Sequence, residues 1–163
     1  MKVFVAVGTH EKPFNRLIKA VDEIAEKQNG FEIFVQIGNS TYTPKHCKFK
    51  KFLSPEQYEN EIKKADVVVS HSGAGSIISA LANKKPLIIV PRLKKYDEHT
   101  DDHQLDIANA LERMGKATVV CDMGCLCEAI LEAKKVRPDM KSSKQKLIAR
   151  IKKFLADCDG KKK

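Results

Sequence analysis

ADVVVSHSGAGSIISALANKKPLIIVPRLKKYDEHTDDHQ, residues Ala65 to Gln104, decides how the rest of the chain is read. Val67–Ser70 is a strand-length apolar run that empties into Ser72-Gly73-Ala74-Gly75-Ser76, a turn of small residues leading to a helix. A second run, Pro86–Val90, enters a polar loop and then another helix. A buried strand, a glycine-rich turn and a helix in this order build an anion site. Unpaired backbone N–H groups and the positive end of the helix dipole both face whatever sits there. The second loop crowds Glu98, His99, Asp102, His103 and Gln104 into seven residues. Two loops of this kind suit the phosphates and the sugar of one ligand.

The same alternation extends in both directions. Lys2–Val7 reads as a strand, then Gly8-Thr9-His10, then a helix from Phe14 to Lys27 with Leu17, Ile18, Val21, Ile24 and Ala25 on one face. Phe31–Ile37 is a second strand, followed by a short basic one near Cys47–Phe52. Ser54-Pro55-Glu56-Gln57 carries the marks of a helix start: Ser54 as N-cap, Pro55 in the first position, Gln57 closing a capping box. Downstream, a helix runs to Met114 with Gly115 as its stop, Ala117–Cys121 is a strand, and Leu126–Lys134 is a helix. A last helix is expected over Lys141–Asp157, with Leu147, Ile148, Ile151, Phe154 and Leu155 as its apolar stripe. Strands alternating with helices predict an α/β fold: a doubly wound, mainly parallel sheet of about six strands. Ligands of such sheets bind beyond the carboxyl ends of the strands. His10, His71, His99 and His103 all fall in loops leaving that edge, as do Gly8, Gly73 and Gly75.

Composition narrows the partners. At 163 residues, 42% apolar and 31% charged, the chain has the make-up of one globular domain. Its longest apolar runs are strand-sized, far below the roughly 18 residues of a membrane helix, and its start is too short for a secretion signal. The cytoplasm is the expected location. Five cysteines, an odd number, fit a reducing compartment. Cys121-x3-Cys125-x-Cys127 matches no common zinc spacing, so no metal is expected. The net charge of +9 is concentrated in Lys141–Lys163, where eight Lys and one Arg face two Asp, leaving about +2 for the rest. With no Trp and few aromatics, nucleic acid is not expected; a basic tail beside an anionic membrane surface or an acidic partner is.

The motifs carry alternatives. Gly73-Ala74-Gly75 also serves as a tight turn that lets helix and strand pack, and His71 as a structural histidine. No Gly-Lys-Ser/Thr follows, which excludes a Walker loop, and Gly8-Thr9-His10 lacks the third glycine of a dinucleotide fingerprint. Asp102 suits a helix N-cap. Arg92, Glu98, His99, Asp102, His103 and Gln104 together exceed what capping needs and suit sugar hydroxyls and phosphate charge.

Several runs then carry a resemblance: Val5-Ala6-Val7-Gly8-Thr9-His10 with Phe14-Asn15-Arg16-Leu17, Val35-Gln36-Ile37-Gly38, Ala65–Ser76, Lys85–Arg92, Glu98-His99 and Asp102-His103-Gln104. Over about Met1–Ile130 the chain resembles the donor-binding, catalytic subunits of two-component GT-B glycosyltransferases, similar to the family 28 C-terminal domain. Bacterial capsular and exopolysaccharide transferase subunits and the eukaryotic dolichol-pathway N-acetylglucosamine transferase subunits belong to this group. The Pro-Arg…Glu-His…Asp-His-Gln run favours the bacterial branch.

The resemblance implies a Rossmann-like GT-B C-terminal half-domain over residues 1–136, with 137–163 as a basic helix and tail that dock a partner. It implies inverting transfer of a hexose from a UDP-sugar, used as substrate with no cofactor and no metal, in polysaccharide or oligosaccharide biosynthesis. The implied partners are a membrane-anchored, acceptor-binding transferase subunit, which would hold this chain at the cytoplasmic membrane face, and a lipid-linked sugar acceptor. A homo-oligomer of the isolated chain stays open, as does a non-catalytic binding or activating role. The residues implied for the UDP-sugar are Gly8, Thr9, His71, Ser72, Gly73, Ala74, Gly75, Ser76, Arg92, Glu98, His99, Asp102, His103 and Gln104. His10 is the candidate catalytic base or phosphate contact. In one place the pattern is broken. The family's ribose-binding acid falls at Ser79, and Glu98 or Gln104 is the expected substitute.

Overall fold

The computed structural model describes residues 1–135 together with Ala149 and Lys153. The helix expected over Lys141–Asp157 and the docking segment 137–163 lie outside the described residues, those two positions apart. Among the described residues six strands, β1 (Lys2–Ala6), β2 (Glu32–Gln36), β3 (Lys48–Lys50), β4 (Val67–Ser70), β5 (Leu87–Ile89) and β6 (Thr118–Val119), form one sheet in the order β3-β2-β1-β4-β5-β6. Every pairing is parallel. Helices α1 (Asn15–Lys27), α2 (Pro55–Lys64), α3 (Ala74–Ala82), α4 (His103–Arg113) and α5 (Leu126–Lys135) make the crossovers.

A strand alternates its side chains between two faces, so a sheet covered on both sides needs unbroken apolar strands. Val3, Val5 and Val7 pack with Leu17 and Ile18 of α1 and Leu126 and Ile130 of α5. Phe4, Ala6 and Val68 pack on the other side with Ile62 of α2, Ile77 and Leu81 of α3 and Leu111 of α4. Each such side chain contributes roughly 1.5–3 kcal/mol when fully buried, so this double cover sets the frame on which the loops are hung. Among the described residues no helix is long and apolar enough to cross a membrane.

One local feature differs from the expected reading. The helix after β4 starts at Ala74, inside the glycine-rich stretch, so Gly73 is its N-cap and Gly75 and Ser76 belong to its first turn. Asp22, on the apolar stripe of α1, is buried as a carboxylate. It accepts hydrogen bonds from the Tyr42 hydroxyl at 2.8 Å and from the N–H groups of Lys45, His46 and Cys47. Burial alone would raise its pKa, but those donors, led by the Lys45 and His46 N–H groups, hold it below the ordinary value. This carboxylate fastens the loop before β3 to α1.

Candidate functional site

The strand order runs outward in both directions from the β1–β4 pair, which makes that pair the topological switch point. Chain leaving the carboxyl ends of β1 and β4 must diverge there, and a cavity of about 560 Å³ opens between the two loops. Gly8 and Thr9 form one wall, while His71, Gly73, Gly75, Ser76 and Ser79 form the other. Phe52, Leu53, Pro55, Tyr58 and Glu59, from the start of α2 and the turn before it, close a third side.

Close approach explains the glycines. The His71 ring lies between Gly8 and Gly73, and a Cβ on Gly8 would land 2.5 Å from its Cε1. Gly8 also has φ +79°, a conformation that L side chains rarely adopt. Gln36, at the end of β2, fixes this loop from beneath: its Oε1 accepts from the Gly8 N–H at 3.2 Å and its Nε2 donates to the Gly8 carbonyl at 3.0 Å. Burial, aided by the positive charge of Arg92, lowers the His71 pKa to about 4, so the imidazole is neutral at pH 7.

At the head of α3 the first N–H groups have no intrahelical acceptor, and Gly73, at the N-cap, has no side chain to cap them. Ile77 makes the first helical hydrogen bond, to the Gly73 carbonyl at 3.1 Å. The Ser76 hydroxyl is held by Tyr58 at 2.9 Å, which ties α3 to α2. Gly75 faces open space, with nothing within 4 Å of where a Cβ would stand. The result is a bare helix N-terminus, with its share of positive dipole, opening into a cavity.

The loop after β5 lies on the same edge but is arranged differently from expectation. Arg92 is fully buried, stacked over Phe14 at 4.6 Å. Its guanidinium donates to the carbonyls of Val7, Lys12 and Glu98 at 2.9, 2.9 and 3.2 Å, so it pins the loop after β1 to its own loop after β5 instead of facing phosphate. Burial lowers its pKa to about 10 against the opposing pull of Glu98, which leaves it charged. Glu98 pairs with Arg16 through two bonds of 2.9 Å and accepts from the Leu93 N–H. Gln104 accepts from the Arg92 N–H at 3.1 Å, and the Ser72 hydroxyl donates to the Gln104 carbonyl at 2.6 Å. Neither Glu98 nor Gln104 is among the residues that line the cavity. Asp102 sits at the N-cap position of α4, but its carboxylate accepts from the Lys94 N–H, while His103 N–H donates to Asp101. His99 lies 3.2 Å from Asp101 and its ring faces His10 at 4.9 Å. Burial, then Arg92 and His99, lowers the His10 pKa. Its Nδ1 accepts from the Lys12 N–H at 3.1 Å, so the neutral ring carries its proton on Nε2.

The sequence reading missed Phe52, Leu53, Tyr58 and Glu59. Its available signal was the Ser54–Gln57 capping box, which fixes where the next turn of α2 points.

Residues 2–158 match the glycosyltransferase family 28 C-terminal domain. The chain belongs to this family. Among relatives of this family 28 chain, the human UDP-N-acetylglucosamine transferase subunit ALG13 is 35% identical over 123 residues, 69% of this chain and 10% of that protein. A Prochlorococcus marinus (strain MIT 9312) UDP-N-acetylglucosamine--N-acetylmuramyl-(pentapeptide) pyrophosphoryl-undecaprenol N-acetylglucosamine transferase is 30% identical over 114 residues, 67% of this chain and 30% of that enzyme. The chain therefore spans a tenth to a third of the length of these relatives. The crystal structure of the kitacinnamycin glycotransferase superposes with a TM-score of 0.66 at 16% identity, over 98% of this chain and 39% of that one. The shared fold is the Rossmann-like half of a GT-B glycosyltransferase.

Proposed function

We propose that this chain is the donor-binding part of an inverting glycosyltransferase, holding a UDP-sugar in the cavity between β1 and β4. One observation carries the reading: the uncapped first turn of α3, at Ala74, Gly75 and Ser76, faces a cavity at the switch point of the sheet. A diphosphate placed there meets several N–H groups and the helix dipole at once. As the sugar departs from UDP, negative charge develops on the diphosphate, and these fixed donors stabilise it without reorganising. Phe52, Leu53 and Tyr58 offer an apolar shelf for the base. His10, with its proton on Nε2, acts as a donor to a phosphate or sugar oxygen. The base that deprotonates the acceptor then comes from a partner.

The names of the relatives make UDP-N-acetylglucosamine the first donor to try. ALG13 is named as a transferase subunit, and this supports a two-part enzyme here as well. The acceptor half and the membrane anchor belong to that partner, a lipid-linked sugar is the acceptor, and the work is done at the cytoplasmic membrane face. Capsular or exopolysaccharide synthesis is the pathway class that the Pro91-Arg92…Glu98-His99…Asp102-His103-Gln104 run favours. No metal is assigned to the transfer, because the α3 N-terminus carries the charge.

A thermal-shift panel tests the donor. UDP and UDP-N-acetylglucosamine should raise the melting temperature in proportion to the logarithm of their concentration, and GDP-mannose should not. Equal shifts with GDP-mannose, or none with any UDP compound, would contradict the reading.

A further inference from the structure

The outer edge of the sheet carries two exposed rings among lysines. β3 pairs with β2 on one side and, among the described residues, with no strand on the other. Every residue from Lys48 to Phe52 is exposed, and two of them are phenylalanines, Phe49 at 40% and Phe52 at 45%. Lys48 lies 3.6 Å from Glu32, whereas Lys50 and Lys51 form no ion pair among the described residues. Lysines on an edge strand have a general use, since they keep an unpaired edge from joining another sheet. Exposed rings add nothing to that protection. Edge defence therefore accounts for the charges and leaves the phenylalanines unexplained.

A strand sends alternate side chains to opposite faces, so Phe49 stands on one face and Lys48 and Lys50 on the other. A flat surface laid along the edge can meet all three. The turn beyond adds Lys51 and Phe52, with the Lys51 ammonium 5.8 Å from the ring centroid. Ammonium groups beside exposed rings suit an anionic lipid surface: the charges take headgroup phosphates, and the rings enter the boundary between headgroups and acyl chains. The run holds no arginine, whose planar fork serves base and phosphate recognition in nucleic acids. The patch is also joined to the candidate site. Phe52 lines the cavity, and the Gln36 amide donates to the carbonyls of Lys51 and Gly8 at 3.2 and 3.0 Å, tying this segment to the β1 wall.

We infer that Lys48–Phe52 is a lipid-binding edge: Lys48, Lys50 and Lys51 take the phosphates of anionic headgroups, and Phe49 enters the interface, which sets the cavity beside a bilayer surface. The inference goes beyond the donor reading, which leaves the membrane anchor to a partner, and it stands or falls apart from that reading.

The chain contains no tryptophan, so Phe49→Trp in the full chain places a single fluorescent reporter in the patch. With vesicles of phosphatidylcholine and about one-third phosphatidylglycerol, its emission should move to shorter wavelength and be quenched by lipids brominated along the acyl chain. With phosphatidylcholine alone neither change should occur. Co-sedimentation with the anionic vesicles should be weaker by about fivefold or more for the double variant Lys50→Ser, Lys51→Ser than for wild type, with melting temperatures equal. Sedimentation of Phe49→Trp without an emission change would assign the binding to the basic tail and overturn the inference. Undiminished binding by the lysine variant overturns it, as does wild type that fails to sediment. An equal emission shift with a single-stranded oligonucleotide in place of vesicles overturns it in favour of nucleic acid. UDP binding is measured separately, so each of these outcomes leaves the donor reading standing.

Discussion

Gly73 carries no side chain because the imidazole of His71 fills the space that a Cβ would need, and Gly8 meets the other side of the same ring. The ring is thereby held at the cavity wall, where loss of water and the nearby Arg92 charge lower its pKa to about 4. This has a consequence for stability. An unfolded histidine titrates near 6.5, so protonation below that value favours the unfolded chain. The stabilisation is fully present above pH 6.5 and is lost progressively as pH falls to about 4. The displacement corresponds to on the order of 3 kcal/mol. Urea unfolding measured across this window should show a steep loss for wild type and a shallower one for His71→Asn. Parallel curves would show that His71 is not held neutral in the fold.

At the scale of elements, α2 and α3 together make the site, and their ends follow local rules. The reciprocal Ser54–Gln57 capping bonds, at 3.2 and 3.3 Å, start α2 and set the turn that delivers Tyr58 and Glu59 to the cavity. Ser54→Ala should cost about 1 kcal/mol, read as a lower urea midpoint with an unchanged slope. No change in midpoint would mean the cap is made but contributes nothing. The start of α2 was legible because its capping is written in four consecutive residues. The role of α2 was not, because Glu59 meets Ser79 and Asn83 only through the packing of two helices, at separations of 20 and 24 residues. Arg92 misled for a related reason. An arginine in a polar loop suggests phosphate, but the burial that turns it into a strut for the carbonyls of Val7, Lys12 and Glu98 is a property of two loops packed together. Asp22 left a sequence signal, being an acid on the apolar stripe of α1, but its partners beyond Tyr42 are backbone N–H groups that no pattern announces.

For the molecule as a whole, the unbroken apolar runs of β1 and β4 dictate a sheet covered on both faces. A parallel sheet wound both ways must then open at one point on its carboxyl edge. The glycine-rich stretches after those two strands were therefore readable as neighbours before any coordinates. Their convergence on a single cavity, with the bare end of α3 inside it, is the basis of the proposed donor site. Gly75 offers a direct way to probe it, since a Cβ there would have nothing within 4 Å among the described residues and an acid in the first turn of a helix is favourable to folding. The decisive measurement is UDP affinity and melting temperature for Gly75→Asp beside wild type. A melting temperature equal to or above wild type with UDP binding weakened at least about tenfold is expected, because the new carboxylate opposes the diphosphate. Unchanged UDP affinity in a folded Gly75→Asp protein would remove the head of α3 from the site and contradict the account.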